Sequence, residues 1–170
     1  LLAVLDVTKT AMGARKLRDW LTRPMANLNE ITRRHDAVAA FVKDRALLRD
    51  MVDALARVRD LERLIARIGS GTGNARDVAA LGQSLDSVPG VKGLVEDRPV
   101  PLLKELGAAM VCLPDLVGLI QRAIVDEPPI TIKEGGLIRE GYHAELDDLR
   151  HAATQGKQWL AEYQVREQER

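Results

Sequence analysis

Aromatic side chains are scarce: two tryptophans, two tyrosines and one phenylalanine occur in 170 residues. Trp20, Trp159 and Tyr163 lie too far apart in sequence to form a base-stacking platform, so they read as packing anchors. The lone Cys112 excludes an internal disulfide. No apolar run reaches the roughly 18 residues of a membrane-spanning helix. Excess charge is absent as well, because 25 Lys and Arg balance 25 Asp and Glu. That balance argues against a freestanding nucleic-acid clamp built on net positive charge, so any contact with DNA must be local or indirect. Leu1 to Leu5 carries neither the basic flank nor the cleavage site of a secretory signal, and the chain does not start with methionine. The expectation is a fragment of a cytoplasmic protein, cut at both ends.

Signatures of chemistry are missing too. The sequence contains no G-x-x-x-x-G-K-[ST], H-E-x-x-H, C-x-x-C or G-x-S-x-G. No catalytic, cofactor-binding or metal-ligating residue is therefore assigned. Gly69-Ser70-Gly71-Thr72-Gly73 would offer amides to a phosphate, yet no strand precedes it and no lysine follows, so it reads as a turn between helices. His143, Asp147 and His151 fall on one helical stripe, but positions i and i+8 of a straight helix stand about 12 Å apart. That separation is too wide for both imidazoles to share a metal, and the stripe reads as solvated. His35 is in register with Ile31, Val38 and Val42 and reads as a core-edge histidine with a hydrogen-bond partner. Arg59, Arg63 and Arg67 recur every four residues as a ridge able to meet DNA phosphates. Asp60 and Glu62 lie between them, and the alternation of sign also fits a surface salt-bridge face.

What the sequence does contain is helix, almost throughout. A chain of about 170 residues is one domain's worth and buries roughly 70% of its unfolded surface. The fold class is all-α, with a helical core over 1–126, a strap over 127–141 and a long helix over 142–170. Thr10 to Leu21 places Ala14, Leu17, Trp20 and Leu21 on one face, ended by Pro24. Asn27 with Glu30 predicts a capping box ahead of a helix whose apolar face is Leu28, Ile31, Val38, Phe41 and Val42. Asp44 caps a third helix carrying Leu48, Met51, Val52 and Leu55, and Asp60 a fourth carrying Leu61, Leu64, Ile65 and Ile68. Asn74 caps another, with Val78, Leu81, Leu85 and Val88 inward. Pro89 to Pro101 reads as a loose link with about one helical turn. Leu102 to Met110 and Pro114 to Val125 read as helices, and Ile130-Thr131-Ile132 with Gly135-Gly136 as a small hairpin near 130–139 or an extended strap.

The last thirty residues form the most regular stretch. Tyr142, Leu146, Leu149, Ala153, Gly156, Leu160 and Tyr163 alternate steps of four and three, which keeps one seam of a helix apolar. No proline or terminal glycine stops this helix, and some 29 residues span about 43 Å. Leu160 and Tyr163 lack a partner helix within the sequence. Burying a leucine is worth about 1.5–3 kcal/mol, so the far end is expected to fray or to pair with a second copy about a two-fold axis.

Four stretches carry a resemblance. Thr10-Ala11-Met12-Gly13 with Arg15, Leu17-Arg18, Trp20-Leu21 and Pro24 resembles the start of the core domain of the MutS family of DNA mismatch-recognition ATPases. Val58-Arg59-Asp60-Leu61-Glu62-Arg63-Leu64 with Arg67-Ile68 resembles a second stretch, and Asp126-Glu127-Pro128-Pro129 a third. Gly136, Ile138-Arg139, Gly141-Tyr142, Glu145-Leu146-Asp147, Leu149-Arg150, Gly156-Lys157 and Trp159-Leu160 resemble the approach to the family's lever helix. The matches keep the family's order. His143 departs from it, standing where the family usually has an acidic residue, and the Gly69–Gly73 run is richer in glycine.

The resemblance implies a core and lever segment, cut before a DNA-gripping clamp, that links mismatch-reading and clamp domains to an ATPase. ATP with magnesium, mismatched duplex DNA and a MutL-type partner would then belong to the full-length protein rather than to this segment. Two other readings stay open at this stage: a helical adaptor unrelated to DNA, which suits the zero net charge, and the core of a MutS paralogue that lacks the mismatch reader. An enzyme with its site in the 127–141 strap has the least support, having no nucleophile or paired carboxylates.

Overall fold

The computed structural model describes residues 1–168, excluding the side chains of 161, 162, 167 and 168. Among them are ten α-helices and no strand. They are α1 (Leu2–Leu5), α2 (Ala11–Thr22), α3 (Leu28–Lys43), α4 (Arg45–Ala56), α5 (Leu61–Gly69), α6 (Ala75–Asp86), α7 (Val88–Val95), α8 (Pro101–Ala109), α9 (Pro114–Ala123) and α10 (Ala144–Gln168). Continuation of α10 to Arg170 lies outside the described residues.

Helix starts follow local chemistry. Thr10, Asn27, Asp44, Asp60 and Asn74 each accept a hydrogen bond from the backbone three residues on, satisfying an otherwise orphaned N–H. The reciprocal capping box closes at Asn74 and Asp77. At Asn27 it does not, because the Glu30 carboxylate pairs with Arg33 at 2.9 Å instead.

Two groups of helices make the core. In the first, α3, α4, α7 and α8 enclose Ala37, Val95 and Leu103, with Phe41 and Met51 packed against them. In the second, α6 lies between α5 and α9, and α9 presses Ile120 onto the bare backbone of Gly82. Three expectations change here. The link expected over Pro89–Pro101 is helical as far as Val95, as part of α7, whose Val91 and Val95 are buried. Pro89 sits in the first turn, where a missing N–H costs nothing, and burial outweighs the weak propensity of Gly90 and Gly93. On α3 the buried stripe runs through Ala37, while Leu28, Val38 and Val42 are exposed. On α4 the buried leucine is Leu47, with Leu48 partly open to solvent.

No hairpin forms near 130–139. Thr131 and Glu134 close a capping box around a single 3-10 turn, Ile132–Glu134, and the antiparallel pairing is one bridge between Ile124 and Ile138. α2 has no buried residue. It is held by Arg15, which reaches Asp60 and Glu62, and by Trp20, whose ring lies 4.1 Å from the Arg34 guanidinium.

Candidate functional site

Arg59, Arg63 and Arg67 line one open groove of about 340 Å3 with Asp60, Leu64, Asp77 and Ala80. Ser84, on the same helix as Asp77 and Ala80, is fully buried. The Ser84 hydroxyl donates to the Ala80 carbonyl at 2.8 Å and accepts from the Arg59 backbone N–H at 3.0 Å, pinning the start of α5 to α6. The sequence gives no hint of this long-range role, since a serine inside a helix usually reads as exposed or locally bonded.

The acids between Arg59 and Arg63 are bonded to Arg15 of α2. Asp60 accepts both Arg15 Nη1 and Nη2, at 2.8 and 2.7 Å, and Glu62 accepts Arg15 Nε and Nη2. This bidentate bond holds the Asp60 carboxyl down to about 2, and the two carboxylates raise the Arg15 guanidinium further above its ordinary value. Arg67 pairs with Asp77 at 3.0 Å. Among the described residues Arg59 and Arg63 have no ion-pair partner, so the ridge is not the continuous salt-bridge face that the alternation of sign suggests.

The glycine run is a helix end rather than a phosphate cradle. The amides of Gly71, Thr72 and Gly73 donate to the carbonyls of Ile68 and Arg67, which leaves none of the three for a ligand. His143, Asp147 and His151 each turn to a different neighbour. His143 Nδ1 accepts from the Leu146 amide at 3.4 Å, Asp147 accepts from the Gly141 amide at 2.8 Å, and His151 approaches Glu140 at 3.9 Å. His35 is exposed on α3 and not at a core edge. Neither the ATP phosphates nor magnesium therefore finds a fitting donor set in these residues.

The second feature is the base of α10. Among the described residues that helix packs along no other helix to an extent comparable with the core pairs. Its seam is open, with Leu149 69%, Leu160 57% and Tyr163 49% exposed. Trp159 and Tyr163, one turn apart, stack with ring centroids 5.6 Å apart. Among the described residues the first turns of α10 are tied down, by Arg150 to the Ile138 carbonyl, by Asp147 to the Gly141 amide and, more loosely, by His151 to Glu140.

A helical core with a partnerless rod at its end invites comparison with known families. The model of MutS domain III matches residues 1–169. The chain belongs to the MutS domain III family. The protein named DNA mismatch repair protein MutS from Symbiobacterium thermophilum is 45% identical over 170 residues, all of this chain and 19% of that protein. Its namesake from Myxococcus xanthus is 46% identical over the same span, again 19% of its length. The namesake from Methanosarcina barkeri is 42% identical over 98% of this chain. The chain thus spans about a fifth of the length of these relatives. As a MutS domain III it is a core domain, and an adaptor unrelated to this family is set aside. Among the described residues no helix is long and apolar enough to cross a membrane.

Proposed function

We propose that this chain is the core and the first part of the lever of a MutS-like DNA mismatch repair ATPase, passing conformational change between DNA-holding parts and the nucleotide site. The observation that supports it most is α10: 25 residues, about 37 Å, with an open seam and a tethered base. A stiff helix held at one end turns a small rotation at the base into a larger displacement at the tip. The relatives' name, DNA mismatch repair protein, favours that branch over paralogues without a mismatch reader. On this reading ATP with magnesium, mismatched duplex DNA and a MutL-type partner engage the rest of the polypeptide, and the protein works beside DNA in the cytoplasm.

The test is a break in the rod of the full-length protein. Ala153→Pro removes a hydrogen bond halfway along and kinks the helix. Nucleotide-free mismatch affinity and basal hydrolysis should stay within about twofold, while the effect of ATP on DNA residence time is lost. An unchanged ATP response in that variant would reject the lever.

A second reading is favoured by the unpaired guanidiniums. Arg59 and Arg63 contact DNA phosphates, with Arg67 framing the groove through Asp77. Replacing Arg59 and Arg63 with glutamine should lower the dependence of log affinity on log salt by about two. Affinity and salt slope both unchanged in the glutamine variants would remove the idea.

A further inference from the structure

The strap between α9 and α10 has one 3-10 turn and a single bridge, so backbone regularity does not set the direction in which α10 leaves. Side chains from the strap and the rod do, through main-chain carbonyls. Arg139 acts as a cap in trans for α9. Its Nε donates to the Gln121 carbonyl at 3.0 Å and its Nη2 to the Ile124 carbonyl at 3.1 Å, while its own amide donates to the Ala123 carbonyl at 2.8 Å. These groups belong to the end of α9, where helical carbonyls lack partners and the dipole favours a cation. Asp126 anchors the same guanidinium at 2.7 Å.

One residue earlier, Ile138 forms the bridge to Ile124, and its carbonyl accepts from Arg150 Nη2 at 3.0 Å. The other arm of Arg150 donates to Asp147 at 3.2 Å, and Asp147 in turn accepts from the Gly141 amide. An unbroken series of hydrogen bonds therefore runs from the last turn of α9, through Arg139, the Ile124–Ile138 bridge and Arg150, to the second turn of α10. α9 itself is seated hard on α6 through Ile120 and Gly82.

We infer that Arg139 and Arg150 are positioning residues that weld α9 to α10, so the two helices move as one body and motion of the rod reaches the α6–α9 layer instead of dissipating in the strap. The inference rests on the lever reading for its purpose, but the weld is measurable by itself. The Arg139 guanidinium bonds three groups at once and that of Arg150 two, a geometry that a lysine ammonium cannot reproduce with the same rigidity.

The experiment uses the full-length protein with its native cysteines replaced and spin labels at Asp115 on α9 and Lys157 on α10, both exposed. The distribution of label-to-label distances should be narrow in the parent and in the Arg122→Gln control. In the Arg139→Gln, Arg150→Gln double variant it should widen about twofold or more. Lysine at both positions should give an intermediate width. A double variant as narrow as the parent overturns the weld. If the double variant does not fold, Arg150→Gln alone carries the same expectation, and a narrow distribution again overturns it. The effect of ATP on DNA residence time, measured on the same variants, separates the two ideas. A widened distribution with a normal ATP response keeps the weld and removes the lever, whereas a narrow one removes the weld and leaves the lever to the Ala153→Pro test.

Discussion

Asp60 does two things at once, capping α5 through the Arg63 amide and accepting the bidentate guanidinium of Arg15. Its carboxyl is lowered from 3.8 to about 2 in the folded chain. A carboxyl depressed on folding contributes stability that is present above its unfolded value and is lost as pH falls through the folded one. The contact between α2 and α5 should therefore persist at pH 4 and loosen as pH approaches about 2. Carbon-detected NMR of the Asp60 carboxyl checks this: a midpoint near 2 is expected, moving toward 3.8 in Arg15→Gln. A midpoint that ignores Arg15 would show that the ion pair does not persist in solution. The caps and the glycine run were legible in the sequence, because both depend on partners within six residues. Arg15 was not, because its partners lie 45 and 47 residues away. Ser84 was hidden for the same reason, serving an amide 25 residues off.

At the scale of elements, helices approach closely at two glycines, with different tolerance for added bulk. A Cβ on Gly107 of α8 would stand 2.8 Å from the Glu96 Cα and 3.1 Å from its backbone nitrogen, atoms that cannot turn aside. A Cβ on Gly82 would stand 2.8 Å from Ile120 Cγ2, which belongs to a side chain able to change rotamer. Both alanine substitutions overpack the core, at about 1–3 kcal/mol each, and Gly107→Ala is expected to be the costlier. Thermal melts of the two variants test the order, and equal or reversed losses would mean that α8 shifts as readily as Ile120 does. Element identity was largely readable from spacing and caps, down to the starts of α2 to α6. α7 was not, since proline and two glycines argue locally against a helix that burial of Val91 and Val95 sustains. The hairpin failed for the complementary reason: Ile130 and Ile132 are exposed, and Ile138 finds its bridge at Ile124 instead.

For the molecule as a whole, the exposed seam of α10 sets the behaviour of the chain in isolation. An unpartnered helix holds only its own hydrogen bonds, and its distal turns open at low free energy. In a polypeptide of these 170 residues, amides around Trp159 to Val165 should exchange far faster than those of α6 and α9. Protection that rises with concentration would instead report pairing of two rods along Leu149, Leu160 and Tyr163. Full protection in a chain that sediments as a monomer contradicts both outcomes. The rod was foreseeable from the four-and-three spacing of Leu146 to Tyr163, although Tyr142, counted in the same seam, lies before α10 begins at Ala144. The resemblance to MutS domain III was legible in the order of several short matches, and the family model over 1–169 bears it out.

By itself the sequence determined whatever closes within a turn or two of helix: the caps at Asn27, Asp44, Asp60 and Asn74, the stop in the Gly69–Gly73 run, and the apolar seam of α10. Only the tertiary structure decided which apolar residues are covered, Ala37 and Leu47 in place of Val38 and Leu48. It also decided which acid each arginine finds, and how Arg139 and Arg150 fix the departure of the rod. Hydrogen bonds between near neighbours are dictated by spacing along the chain. A partner many residues away is chosen by packing, which periodicity leaves open because each helix presents more apolar surface than its core contact covers.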